Sequence, residues 1–111
     1  MRPALLAIAL VVLAGSAEAG SVPKLHKNTS YDSARTSLLA LGWKPATVPA
    51  SERTCERRED TCEMYPEAER CAPSGSGACV MLWSKGGTLI SVLTYGDNQV
   101  TVTKAVCRVG C

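Results

Sequence analysis

Cysteine has the most chemistry to offer in this chain. Cys55, Cys62, Cys71, Cys79, Cys107 and Cys111 are separated by six, eight, seven, twenty-seven and three residues. A zinc site wants short Cys-x-x-Cys or Cys/His pairs that together supply four ligands. No Cys-x-x-Cys occurs here, and His26 is the only histidine. The same gap argues against a thioredoxin-like redox pair. The stretch "CAPSGSGAC", Cys71 to Cys79, is glycine-rich enough to suggest a phosphate cradle, yet it lacks the GK[ST] ending of a P-loop and no strand signal leads into it. What remains for an even number of thiols is structural pairing, which requires an oxidising compartment.

Other residue types offer less. His26 lies in "SVPKLHKN", read as part of a flexible mature N-terminus over residues 20–29, and no Gly-x-Ser-x-Gly elbow accompanies it. The paired carboxylates Glu59 with Asp60 and Glu67 with Glu69 stand in a charged stretch without an apolar pocket to raise either pKa, so they are expected to be solvated. The chain is therefore expected to be no enzyme and to hold no metal and no cofactor.

The opening "MRPALLAIALVVLAGSAEAG" explains the compartment. One basic residue, Arg2, precedes an apolar run from Ala4 to Ala14, and Ala17-Glu18-Ala19 offers a peptidase site before Gly20. Such a run is too short for a hydrocarbon core of about 30 Å, which takes roughly 20 helical residues. Residues 1–19 are read as an export signal, leaving a periplasmic or secreted chain with no membrane anchor after cleavage. Residues 30–111 are read as one small disulfide-stabilised domain, at a size where a single core leaves marginal stability.

Charge is unevenly spread. Glu52 to Arg70 carries seven acids against four arginines, whereas the rest of the expected mature chain carries seven bases and two acids. The acidic stretch reads as a solvated loop or short helix with local ion pairs, or as a patch for a basic partner. Nucleic acid is disfavoured, because no basic cluster with interleaved aromatics occurs.

The elements that must position these residues form an α+β pattern: one N-terminal helix packed on a three-stranded antiparallel meander, with a disulfide-stapled loop segment between them. In "NTSYDSARTSLLALGWKP", Tyr31, Ala34, Leu38 and Leu41 form one apolar stripe, while Asp32, Arg35 and Ser37 take the other side. Thr29 with Asp32 resembles a capping box, Gly42 suits the position past the end, and Pro45 stops continuation, which predicts a helix over 30–41. Trp43 is expected to pack at its exit.

Further on, β-rich runs break at Gly86-Gly87 and at Gly96-Asp97-Asn98. Two-residue loops would set Trp83 opposite Ile90, Met81 opposite Val92, Leu93 opposite Val102 and Leu89 opposite Val106. Alternation then gives one face with Val80, Leu82, Leu89, Leu93, Tyr95, Val100, Val102 and Val106, expected to carry the helix. The other face groups Met81, Trp83, Ile90 and Val92 near Cys79 and Cys107. It is read either as a partner-binding surface or as a patch that the loop segment covers.

The pairing of "YDSARTSLLALGWKP" with "YPEAERCAPSGSGACVMLW" resembles a group of small exported cysteine-containing bacterial proteins of unknown function, over about residues 30 to 95. The resemblance implies that Cys71 and Cys79 are bonded. Three arrangements of the other four cysteines then remain, and the favoured one has Cys107 reach back to the acidic stretch. More loosely, a helix on a meander is similar to PepSY-like and β-lactamase-inhibitor-like domains, several of which bind enzymes. The expected function is a non-enzymatic binding module for another envelope or secreted protein, such as a hydrolase or toxin. The alternative is a structural or stress-related envelope protein without a dedicated partner site.

Overall fold

The computed structural model describes residues 21–96 and 98–111, so the expected leader lies outside the described residues. Along the chain come α1 (Tyr31–Ala40), β1 (Lys44–Pro45), α2 (Glu59–Met64), β2 (Ala68–Cys71), β3 (Cys79–Lys85), β4 (Thr88–Tyr95) and β5 (Thr101–Val109). The architecture is α+β with one antiparallel sheet of five strands. The expected meander β3–β4–β5 is its centre. Two short strands lie end to end on the outer edge of β3, with Pro45 opposite Trp83 and Cys71 opposite Cys79. Neither had a readable pattern: β1 is two residues including a proline, and β2 is the charged "AERC" with a bulge at Glu69.

Gly86-Gly87 forms a two-residue hairpin, and it sets Trp83 opposite Ile90 and Met81 opposite Val92 as the spacing predicts. The second hairpin departs from expectation. Its last pair is Tyr95 with Thr101, so five residues separate the strands rather than two. Two register shifts follow, which pair Leu93 with Lys104, Ser91 with Val106 and Leu89 with Val109. A bulge adds a residue to one strand and so moves the side chains beyond it to the opposite face. That is how Val102, expected with Val106, comes to share the face of Val92 and is fully buried. Gly96 permits this turn, since its φ is +107° and a Cβ there would strike the carbonyl oxygen of Gln99.

The helix takes the opposite face from the one expected. Tyr31, Ala34 and Leu38 pack with Met81, Trp83, Ile90 and Val92, and Trp43 closes the exit as expected. The sheet side expected to hold α1 instead packs Val80 and Leu82 under Val48, with Leu89 and Leu93 half-buried beside them. Trp83 lies on the face that α1 takes, and its indole donates there to the Tyr31 hydroxyl, as described below. Within α1 the stripe is also rotated. Leu41 is exposed, while Arg35, assigned to the solvent side, turns inward. The N-cap is Ser30, whose hydroxyl accepts from the Ser33 amide at 3.2 Å, and not Thr29.

The stretch 20–29, read as a flexible N-terminus, is tied down along its described part. Val22 and Leu25 pack against the core, the Asn28 amide donates to the Val102 carbonyl at 2.9 Å, and Val102 returns a bond to Thr29 at 2.8 Å. The acidic stretch is ordered in its turn by Arg53. Its guanidinium donates to the carbonyls of Ala68 at 3.0 Å and Tyr65 at 2.9 Å, and to that of Cys62.

All six cysteines are bonded, as Cys55–Cys62, Cys71–Cys79 and Cys107–Cys111. Disulfides of this kind belong to an oxidising, extracellular type of compartment, and no helix among the described residues is long and apolar enough to cross a membrane. Cys107 does not reach back to the acidic stretch: β5 runs on the far side of β4 from β2, and the chain turns at Gly110 so that Cys111 meets Cys107. The Cys71–Cys79 bond joins directly opposed residues of β2 and β3. Replacing this pair by alanine is expected to cost about 2–3 kcal/mol in denaturant melts, from loop-closure entropy. Peptide mapping of the oxidised chain should return these three pairs; a fragment joining Cys107 to Cys55 or Cys62 would contradict the topology.

Candidate binding face and the buried network behind it

On the sealed side of the sheet, one carboxylate organises the contact. Glu67 is fully buried at the entry to β2. Its Oε2 accepts from the Tyr31 hydroxyl at 2.8 Å and from Arg35 Nε at 2.6 Å, and its Oε1 accepts from Arg35 Nη2 at 2.9 Å. The Tyr31 hydroxyl in turn accepts from the Trp83 indole at 2.8 Å. Tyr31 and Tyr65 meet edge to face with centroids 4.8 Å apart, and the Arg35 guanidinium lies 5.4 Å from the Tyr65 ring centroid and 5.7 Å from that of Trp83. Tyr65 donates to Asp32 at 2.7 Å. Trp83, Tyr31, Glu67 and Arg35 are linked by an unbroken chain of hydrogen bonds, which joins α1 to the sheet.

The tyrosines are held neutral. Burial, then the nearby Glu67 charge, pushes the Tyr31 phenol far above its ordinary value. Burial and the bond to Asp32 push Tyr65 up to about 12. Both shifts disfavour the anion, which this packing could not solvate.

The four residues read as a partner surface, Met81, Trp83, Ile90 and Val92, are thus the centre of the core, each fully buried. They bind α1, not a partner. Of the carboxylates read as solvated, Glu67 is the buried hub and Glu69 forms a two-bond ion pair with Arg108, at 3.1 and 3.2 Å. Glu59 lies in the first turn of α2, where its side chain accepts from the Arg57 amide at 3.1 Å. His26 is exposed, and its carbonyl accepts from the Thr29 hydroxyl at 2.8 Å. Among the described residues no group of three His, Cys, Asp or Glu side chains is placed to hold a metal ion.

The other side of the sheet carries a groove of about 900 Å³, floored by Val80 and Leu93 and bordered by the Cys71–Cys79 disulfide, Arg70, Tyr95 and Lys27. Register explains its composition. Arg70 stands opposite Val80, Val80 opposite Leu93, and Leu93 opposite Lys104, so a row of four crosses the sheet in the order cation, apolar, apolar, cation; the first three line the groove and Lys104 stands just beyond it on β5. Arg70, Lys104 and Lys27 are exposed. One row further along, Arg108 donates to Ser91 at 3.2 Å while paired with Glu69. There the charges are neutralised across the sheet. At the groove no acidic side chain borders the floor among the described residues. Alternation placed Val80 and Leu93 on one face, but Arg70 and Lys104 join them only through the β2 pairing and the β5 bulge. No short motif announces either.

No family model, no curated protein and no solved structure matches the chain. The resemblance to exported bacterial proteins and to PepSY-like or inhibitor-like domains gains no support from them.

Removing one partner of the hub should be severe. Glu67→Ala leaves Arg35 and Tyr31 without their acceptor and is expected to cost about 3–5 kcal/mol in urea unfolding, whereas Arg35→Met with Glu67→Leu together should recover much of that loss. Alkaline pH provides an independent check. With both phenols raised in the folded state, their contribution to stability is complete below the ordinary value of 10.0 and is lost as pH climbs through the folded values. Stability should therefore fall between about pH 10 and 12, and Tyr65→Phe should flatten that fall.

Proposed function

We propose that this protein is a non-enzymatic binding module of an oxidising compartment outside the cytoplasm, and that its binding surface is the sheet face opposite α1. One observation carries the reading. The groove pairs an apolar floor with two cations, Arg70 and Lys27, that have no ion-pair partner among the described residues, whereas Arg108 farther along the same face is paired with Glu69. Contiguous apolar surface with a polar rim is the composition of an interaction site. The cysteines are consumed as cross-links, and the best acid–base cluster is sealed under α1, which leaves the open face for recognition and not for catalysis. The partner is another envelope or secreted protein, the class in which hydrolases and toxins fall. A cleaved leader over residues 1–19 is the proposed route of export.

Selection of a random displayed peptide library on the immobilised, oxidised protein tests this. Enriched peptides should shift the backbone amide resonances of Val80 and Leu93 and should lose binding to Leu93→Asp, with circular dichroism confirming that the variant folds. Selection that enriches nothing, or only ligands that shift α1 or α2, would overturn it.

A further inference from the structure

We infer that the groove takes an extended acidic peptide segment with two carboxylates four residues apart and an apolar side chain midway between them. The inference rests on the open sheet face being the binding surface and adds the chemistry of the ligand. Neighbouring strands lie about 4.8 Å apart, so the Cα atoms at the two ends of the row Arg70, Val80, Leu93, Lys104 are about 14 Å apart. An extended peptide rises about 3.3 Å per residue and turns alternate side chains to one side. Positions i and i+4 therefore face the same way about 13 Å apart, with i+2 halfway. Laid across the strands, such a segment sets an acid over Arg70, an apolar group over Val80 and Leu93, and a second acid over Lys104. Lys27, on the chain segment that pairs beyond β5, adds positive charge on that same side.

Competing ligands fit less well. A single-headed anion such as a fatty acid satisfies one flank and leaves the other cation over its own tail. A basic segment meets three like charges. A wholly apolar segment fills the floor but has nothing for the rim. The Glu69–Arg108 pair closes the next row along with no net charge, which limits the attractive field to the groove itself.

Fluorescence anisotropy with the full oxidised chain reads this directly. The probe is a labelled peptide containing Glu-Ser-Leu-Ser-Glu between Gly-Ser flanks, compared with Lys-Ser-Leu-Ser-Lys, with Glu-Glu-Leu-Ser-Ser, and with displacement by oleate. The first peptide should bind saturably and best. Arg70→Ser and Lys104→Ser should each weaken it roughly fourfold and together roughly fifteenfold, and both sites are exposed, so melting temperature should hold. Binding should also weaken roughly tenfold in 0.5 M salt. Equal binding of the basic peptide, indifference to the double substitution, or preference for oleate would overturn the inference. Should the library yield Leu93-dependent ligands without the spaced acid pair, this ligand assignment falls while the binding surface stands; should neither library nor probes bind, both fall.

Discussion

A buried carboxylate governs how this fold closes. Glu67 has left water completely, and a charge so placed is tolerated only when its lone pairs are occupied by good donors. Two of its three bonds come from Arg35 and one from Tyr31, both on α1 and one helical turn apart. The third partner of the cluster, Trp83, reaches it from β3 through the same tyrosine hydroxyl. Rotation of α1 by one residue, or its transfer to the other side of the sheet, would strand the carboxylate and the indole together. The apolar contacts among Tyr31, Leu38, Met81, Trp83, Ile90 and Val92 supply most of the burial free energy, on the order of 1.5–3 kcal/mol for each large side chain. The polar chain selects among the ways of obtaining it.

Disulfides have a different role. Their partners are separated by seven, eight and four positions in sequence, so each one tightens a local loop or hairpin and none ties distant elements together. Long-range order comes from the sheet, from the Glu67 cluster and from Arg53, which gathers three carbonyls around the acidic stretch. The strand edge is also managed. β5 carries two bulges, with Lys104 and Arg108 along it, and residues 28–31 pair with its start. These features discourage edge-to-edge association of copies, and they leave the open face, not the edge, for recognition.

Sealing one face has a consequence for the other. Because α1, Trp43 and Tyr65 are all committed to the side of Met81 and Trp83, no helix among the described elements covers the row from Arg70 to Lys104, which is bordered instead by Lys27, Thr54 and the Cys71–Cys79 loop, with Val48 packed on Val80. The cross-linked loop from Cys71 to Cys79 stands at its border and fixes the position of Arg70 relative to Val80. Structure and recognition thus divide the sheet between them, with stability on one side and a charged, apolar-floored groove on the other.

Several features were legible in the residues alone. Six cysteines without metal spacing were legible as cross-links, Gly86-Gly87 as a two-residue hairpin, and alternation correctly grouped Met81, Trp83, Ile90 and Val92 on one side and Val80, Leu82, Leu89 and Leu93 on the other. These depend on neighbours within a few positions, where backbone sterics and the period of a strand suffice. Which of the two groups receives the helix depends on a hydrogen bond between residues 52 positions apart, Trp83 and Tyr31, and on a carboxylate 36 positions from its phenol. The bulges of β5, the pairing of "AERC" with β3 and the closure of Cys107 on Cys111 were likewise settled by the assembled sheet. A strand pattern sorts side chains into two sets, but only contact between distant segments decides which set is covered and which is left to meet other molecules.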